Sequence, residues 1–388
     1  MFKRIAATLI SYNYKRLDLL LYFVAIVLGC IGSYTIYVMP NMAEGLYLKQ
    51  LVGVFVGIFF AIVVSLFNYR FWTLLSIPIY LLDLALLFAV KFTRFGLTYW
   101  GATRWLGIKD VFSFQPSELT KFVMIICLAK LYDLFKNKMD KFYVFILAVF
   151  VFAPPLGLIM LQPDLSTSIV LCVMFAMMLF SSGFNIKYII AMLVIVIPLG
   201  IFGFWYVQQP NPMFITANQQ LRILAWLHPE QYPDEMYQQL NSLKAIGSGG
   251  LLGKTLTGDT GPRGTVYVAV RESDFIFTGI CEEFGFLGAL VVIALFAVLT
   301  FRMIKIAINA KDLMGRLIAT GCVTIFLSQA FVNMSVATLI FPNTGISLPF
   351  VSNGLSSAVS SYFMLGMVEN IAINTGEVKV RESEDYIR

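Results

Sequence analysis

Charge is scarce in this chain, and histidine is nearly absent. Asp, Glu, Lys and Arg make up only 13% of its 388 residues, about half the share of a soluble globular domain, so an ordinary water-soluble domain is excluded. His228 is the single histidine, which excludes metal centres built from several imidazoles. Cys30, Cys127, Cys172, Cys281 and Cys322 show no paired spacing; neither a disulfide framework nor a zinc site is indicated, and inert buried thiols are expected. No nucleotide-binding glycine motif occurs, and no basic tract with interleaved aromatics marks a nucleic-acid surface. No small-residue cleavage site follows the first apolar run, so that run is expected to stay attached as an anchor.

Hydrophobic residues fill the space that charge leaves: 59% of the chain, with 35 Phe and a mean hydropathy of +0.81. A bilayer core about 30 Å thick takes roughly 20 apolar residues per helix. Runs near 18–38, 50–67, 71–91, 117–134, 142–161, 165–182, 187–207, 275–300, 316–340 and 347–373 meet that length. The expected fold class is therefore all-α, a polytopic integral membrane protein with about ten transmembrane helices. Lys3, Arg4, Lys15 and Arg16, then Lys130, Lys136, Lys138 and Lys141, then Arg302, Lys305, Lys311 and Arg316 all fall on one side of such a bundle, which makes that side cytoplasmic. Both termini are then inside, and the long segment 208–273 is an extracytoplasmic loop. The net charge of +6 follows from this bias and does not imply nucleic acid. One membrane domain over 1–376 is expected, with a charged, disordered cytoplasmic tail over 377–388.

Polar residues gather in five places. Pro116 suits the first turn of a helix, and Glu118 and Lys121, three apart, share a face; the pair either fixes the helix end or shapes a polar cavity. Arg104 beside Trp105 reads equally as an interfacial anchor or a phosphate contact. Asp164 and Ser166 sit in a short turn where either would cap the next helix, and Asp164 is also a candidate ligand for a divalent cation, Mg or Mn, held with substrate phosphates. The glycine-dense stretch from Lys244 to Lys254 suits either an anion cradle or a flexible turn; upstream, Arg222 and Trp226 lie on a short helical stretch. At the seam where the loop ends and an apolar run begins stands Asp274, either a helix cap or a functional carboxylate, with Glu282 and Glu283 about two turns further on. Three carboxylates so placed need a cationic partner or a raised pKa. Finally, the Pro/Gly-rich run Phe341 to Ser357, with Ser352 and Ser356, describes a broken helix entrance that lines a cavity or packs through small residues.

In their order along the chain, these segments resemble the SEDS family of bacterial membrane glycosyltransferases, whose members include RodA, FtsW and SpoVE. The resemblance is carried by Phe112-Ser-Phe-Gln-Pro-Ser-Glu-Leu-Thr-Lys121, Gln162-Pro-Asp-Leu165, Ala245 to Lys254, Ser273-Asp-Phe-Ile-Phe277 with Glu282-Glu-Phe-Gly285, and Thr344-Gly-Ile-Ser-Leu-Pro-Phe350 with Ser356-Ser357. Leu165 after Asp164 and the Phe112 to Pro116 run lean slightly toward RodA. The resemblance implies polymerisation of lipid II into peptidoglycan strands at the outer face of the cytoplasmic membrane, beside a class B penicillin-binding protein that crosslinks them. By the same resemblance, Asp274 matches the family's catalytic aspartate, and Glu118 and Lys121 match its supporting pair. Candidate substrate contacts are Arg104, Asp164, Arg222, Lys244, Lys254, Glu283, Ser352 and Ser356. The chain also departs from its relatives: Val270-Arg271-Glu272-Ser273 stands where they commonly carry Pro-Glu-x-x-Thr, Ser166 replaces a Gly, and Ser352-Asn353-Gly354-Leu355 replaces Ser-Tyr-Gly-Gly. A lipid II flippase and a non-catalytic scaffold for a penicillin-binding protein are the competing expectations.

Overall fold

The computed structural model describes residues 12–99, 102–108, 112–210, 212 and 216–374; the tail expected over 377–388 lies outside the described residues. Ten helices of 17 residues or more account for most of the chain: α1 (Leu19–Val38), α2 (Leu46–Leu66), α4 (Ser76–Phe92), α5 (Pro116–Leu134), α6 (Phe142–Leu161), α7 (Leu165–Ser181), α8 (Ile186–Val207), α12 (Ile276–Ile308), α13 (Leu313–Ala337) and α14 (Leu355–Asn374). Six of them, α1, α2, α6, α8, α12 and α13, are long and apolar enough to cross a membrane by length and composition. Of the rest, α4 and α7 are shorter, and α5 carries Glu118, Lys121, Lys130 and Asp133. In hydrocarbon every backbone amide must find its partner within the chain, which is why such runs have no alternative to helix.

Two expected spans differ from the sequence pattern. The run 71–91 is broken at Leu75 into a short α3 (Tyr69–Leu74) and α4, the short helix opening with the Asn68 side chain accepting from the Arg70 amide at 3.0 Å. The run 347–373 becomes helical only at Leu355; its first residues, with Pro349 and Gly354, form a non-helical strap. A feature without a forerunner in the pattern is the three-stranded antiparallel sheet β1 (Gly96–Tyr99), β2 (Ala102–Ile108) and β3 (Phe112–Phe114), which pairs Leu97 with Trp105 and Gly107 with Ser113. It leads directly into α5.

Glycine lets the central helices meet backbone to backbone. A Cβ on Gly57 of α2 would lie 2.1 Å from the Tyr362 ring of α14, and one on Gly366 of α14 would lie 2.3 Å from the Ala61 carbonyl of α2. Such contact of small residues supplies the dispersion energy that holds helices together where lipid removes the hydrophobic drive. The long loop is itself helical, with α9 (Ala217–Leu227), α10 (Pro233–Ser248) and α11 (Gly253–Thr257). It is seated on the ends of α12 and α13: Trp226 Nε1 donates to the Leu339 carbonyl at 3.2 Å, Gln239 Nε2 to Val336 and Phe341 carbonyls at 3.1 and 2.9 Å, and Ser242 Oγ to the Ala337 carbonyl at 2.8 Å. At the opposite end of the bundle Arg302 pairs with Asp18 at 2.7 Å, and Arg70 and Tyr69 both reach Asp312.

Candidate functional site

Beneath the seated loop lies a cavity of about 570 Å³ whose lining includes Arg104, Glu118, Lys121, Arg222, Ser273, Asp274, Gln329 and Asn343. They arrive on several elements. Pro116 starts α5, and one turn later Lys121 Nζ meets Glu118 Oε2 at 2.7 Å, with both side chains buried. The sheet carries Arg104 in from the other side; its guanidinium donates to the Pro163 carbonyl and stands 3.8 Å from Asp164. Arg222 comes from α9, a helix held at its start by a reciprocal Thr216–Gln219 capping box that satisfies two amides at once. Its only bond among those described is a long one, 3.5 Å, to the Asn343 carbonyl.

Asp274 sits two residues before α12. Its amide donates to the Val270 carbonyl at 3.1 Å, as does that of Ser273. Val270 holds φ at +52° to accept them, a left-handed conformation that costs a β-branched residue about 1–3 kcal/mol and that strained functional loops commonly contain. The strap braces this turn along its main chain. Asn333 Nδ2 donates to the carbonyls of both Asp274 (2.8 Å) and Ile346 (2.7 Å), Ser352 Oγ donates to the Ser273 carbonyl (2.5 Å), and the Asn353 amide to the Glu272 carbonyl (2.8 Å). Gly345, at φ +71°, leaves room for the carboxylate: a Cβ there would stand 3.3 Å from Asp274 Oδ2.

The Asp274 carboxyl is reachable from the cavity but surrounded by protein, and that burial raises its pKa above the ordinary carboxylate range because desolvation disfavours the charged form. The Ser273 hydroxyl, 3.0 Å away, and the charges of Arg104 and Arg222 pull the other way, while Glu272 adds to the rise. The guanidinium of Arg222 is itself pushed down, first by burial and then by Arg104, with Asp274 opposing both. The two arginines therefore concentrate positive charge beside Asp274, while elsewhere in the lining Lys121 is matched by Glu118 and the α10 residues Asp234 and Glu235 add negative charge.

Not every candidate residue comes to this cavity. Asp164 caps α7, accepting from the Thr167 amide (3.2 Å), the Thr167 hydroxyl (3.0 Å) and Gln115 (3.4 Å), and is not among the residues that line the cavity. Among the described residues no three His, Cys, Asp or Glu side chains group as a metal site. Ser352 is the brace just described, and Ser356 accepts from the Gln115 amide at 3.4 Å. Lys244 is exposed on α10. Lys254 and Glu283 belong to a separate knot: Glu282 accepts from Lys254 (2.7 Å) and from the amides of Gly264 and Thr265, and Glu283 accepts from Arg263 (3.2 Å) and Thr255 (2.7 Å). The glycine-rich run serves this knot, for a Cβ on Gly249 would lie 2.0 Å from the Cys281 carbonyl and one on Gly253 2.3 Å from that of Glu283. Its backbone thus touches α12 where Gly285, at φ +66°, breaks the helix. Conversely, Gln329 and Asn333 belong to the site without any motif; the signal that marks them is a pair of amides four residues apart inside an apolar span.

Known proteins share this architecture. A family model described as cell cycle protein, spanning FtsW, RodA and SpoVE, matches residues 14–377. A probable peptidoglycan glycosyltransferase FtsW of Geobacter sulfurreducens is 33% identical over 371 residues, covering 92% of this chain and 95% of that one. Stage V sporulation protein E of Bacillus subtilis is 32% identical over 370 residues, covering 92% and 96%. A solved chain described under structural coordination of polymerization and crosslinking by a peptidoglycan synthase complex superposes with a TM-score of 0.77 at 24% identity, covering 94% of this chain and 99% of its own.

Proposed function

The chain belongs to the cell cycle protein family of FtsW, RodA and SpoVE, and from that membership we propose how its cavity works as a peptidoglycan glycosyltransferase. The substrate is lipid II, a disaccharide-peptide on a polyprenyl diphosphate, and residues 1–376 act as one membrane unit with the cavity open to the extracytoplasmic side. Asp274 is the general base. It takes the proton from the 4-hydroxyl of an acceptor GlcNAc, whose oxygen attacks the anomeric carbon of the lipid-linked MurNAc as the bond to diphosphate breaks, with inversion. A diphosphate leaves as a stable anion, so no strong general acid is required; Arg104, Arg222 and Lys121 neutralise it. Glu118 holds Lys121 in place at 2.7 Å.

One observation carries this reading: a carboxylate with a raised pKa shares a polar cavity with a buried Lys–Glu pair and two arginines. A partner that crosslinks the strands, a class B penicillin-binding protein, is proposed on the likeness to the synthase complex. Purified protein given fluorescent lipid II should build glycan polymer, and Asp274→Ala should lower the rate about 100-fold or more, the scale of a lost general base. Polymer at the normal rate from a folded Asp274→Ala protein would remove Asp274 from that role. Transbilayer movement of lipid II in vesicles, with no polymer from the unaltered protein, would favour a flippase instead.

A further inference from the structure

Gln329 and Asn333, four residues apart, share a face of α13, and each has an enclosed amide oxygen without a hydrogen-bond partner, yet only Asn333 is held by bonds from its own amide nitrogen. The Asn333 amide bridges two carbonyls, the interhelical glue expected of a polar residue inside a membrane helix. Gln329 is also buried, 4% exposed, but it lines the cavity, which Asn333 does not, and among the described hydrogen bonds its carboxamide makes none. An enclosed acceptor left without a partner is destabilising, and packing alone would be served as well by Met or Leu. The position therefore suits a guest. A carboxamide offers an acceptor and a donor side by side, the complement of a secondary amide, which offers N–H and C=O.

We propose that Gln329 is a substrate-binding residue that pairs with a secondary amide of the glycolipid in this cavity. The inference rests on the glycosyltransferase reading for the identity of the guest. Secondary amides on such a substrate come from two sources, the acetamido group of a sugar and the stem peptide. A site built to hydrogen-bond one group rejects analogues that lack it, because its own polar atoms are then left unpaired. Gln329 thereby contributes to selection as well as to affinity.

The test compares the unaltered protein with Gln329→Met on three lipid II substrates: the complete one, one with 2-hydroxyl groups replacing the acetamido groups, and one lacking the stem peptide. The expected result is a KM for complete lipid II raised tenfold or more with kcat within about threefold, together with a tenfold loss of preference against one analogue. Loss against the 2-hydroxyl analogue assigns the amide to the sugar; loss against the other assigns it to the peptide. Unchanged KM and unchanged preferences overturn the proposal. Gln329→Asn, which keeps the amide but withdraws it by one methylene, provides the same comparison if the Met variant does not fold. Direct binding of lipid II to Asp274→Asn protein, with and without Gln329→Met, separates the two readings. A tenfold weaker binding with no polymer from the unaltered protein would sustain this inference and sink the catalytic one, whereas equal binding would sink this inference alone.

Discussion

At the scale of single residues, the balance around Asp274 makes a pH prediction with a definite sign. A base works only when ionised, and burial raises the pKa of this one, so the acid limb of the pH–rate profile should lie above the ordinary aspartate value of about 3.9. Arg222 favours the ionised form. Arg222→Gln should move that limb to higher pH, so the variant loses proportionally more rate at pH 5.5 than at pH 7.5; a limb that stays in place would mean that Arg222 does not act on Asp274. Asp274, Glu118 and Lys121 were legible in the sequence because charge inside an apolar run is costly and therefore noticeable. Gln329 and Asn333 were harder to see because neutral amides disturb hydropathy less and their distinct uses depend on partners far along the chain. Asn333 meets Asp274 across 59 positions, a pairing that no local spacing announces.

At the scale of elements, the apolar runs told where helices lie, and errors arose where polar geometry decides. The sheet that delivers Arg104 is built from strands of four, seven and three residues paired with their neighbours in sequence, too short to stand out between apolar runs, and the strap before α14 is non-helical despite its apolar content. The three carboxylates that began as a repulsion problem are resolved separately. Asp274 faces the cavity, while Glu282 and Glu283 are tied to Lys254 and Arg263 from the segment after α10. That knot fastens the loop to α12. Lys254→Met strands Glu282 in a buried position and should destabilise the protein by about 3 kcal/mol, read from thermal or denaturant unfolding in detergent. Adding Glu282→Gln should recover part of the loss, because the uncompensated charge goes with it. If the double variant is no better than the single one, the ion pair is not what holds the loop.

For the whole molecule, the proposed orientation, with the end that carries Asp18, Arg70, Arg302 and Asp312 in the cytoplasm and the cavity opening outward, makes a labelling prediction. Lys244, exposed on α10, is then reachable from outside. Lys244→Cys should react with a membrane-impermeant maleimide in spheroplasts, and Lys138→Cys should react only after the membrane is opened; the reverse order would invert the topology. The way the strap grips the Asp274 turn also bears on how such a chain diverges. Two bonds from the strap and one from Asn333 of α13 end on the carbonyls of Glu272, Ser273 and Asp274, atoms that every amino acid possesses. The side chains between Val270 and Asp274 can therefore drift over generations while the grip stays the same. That is a physical route by which the approach to the aspartate can be rewritten while the aspartate keeps its place.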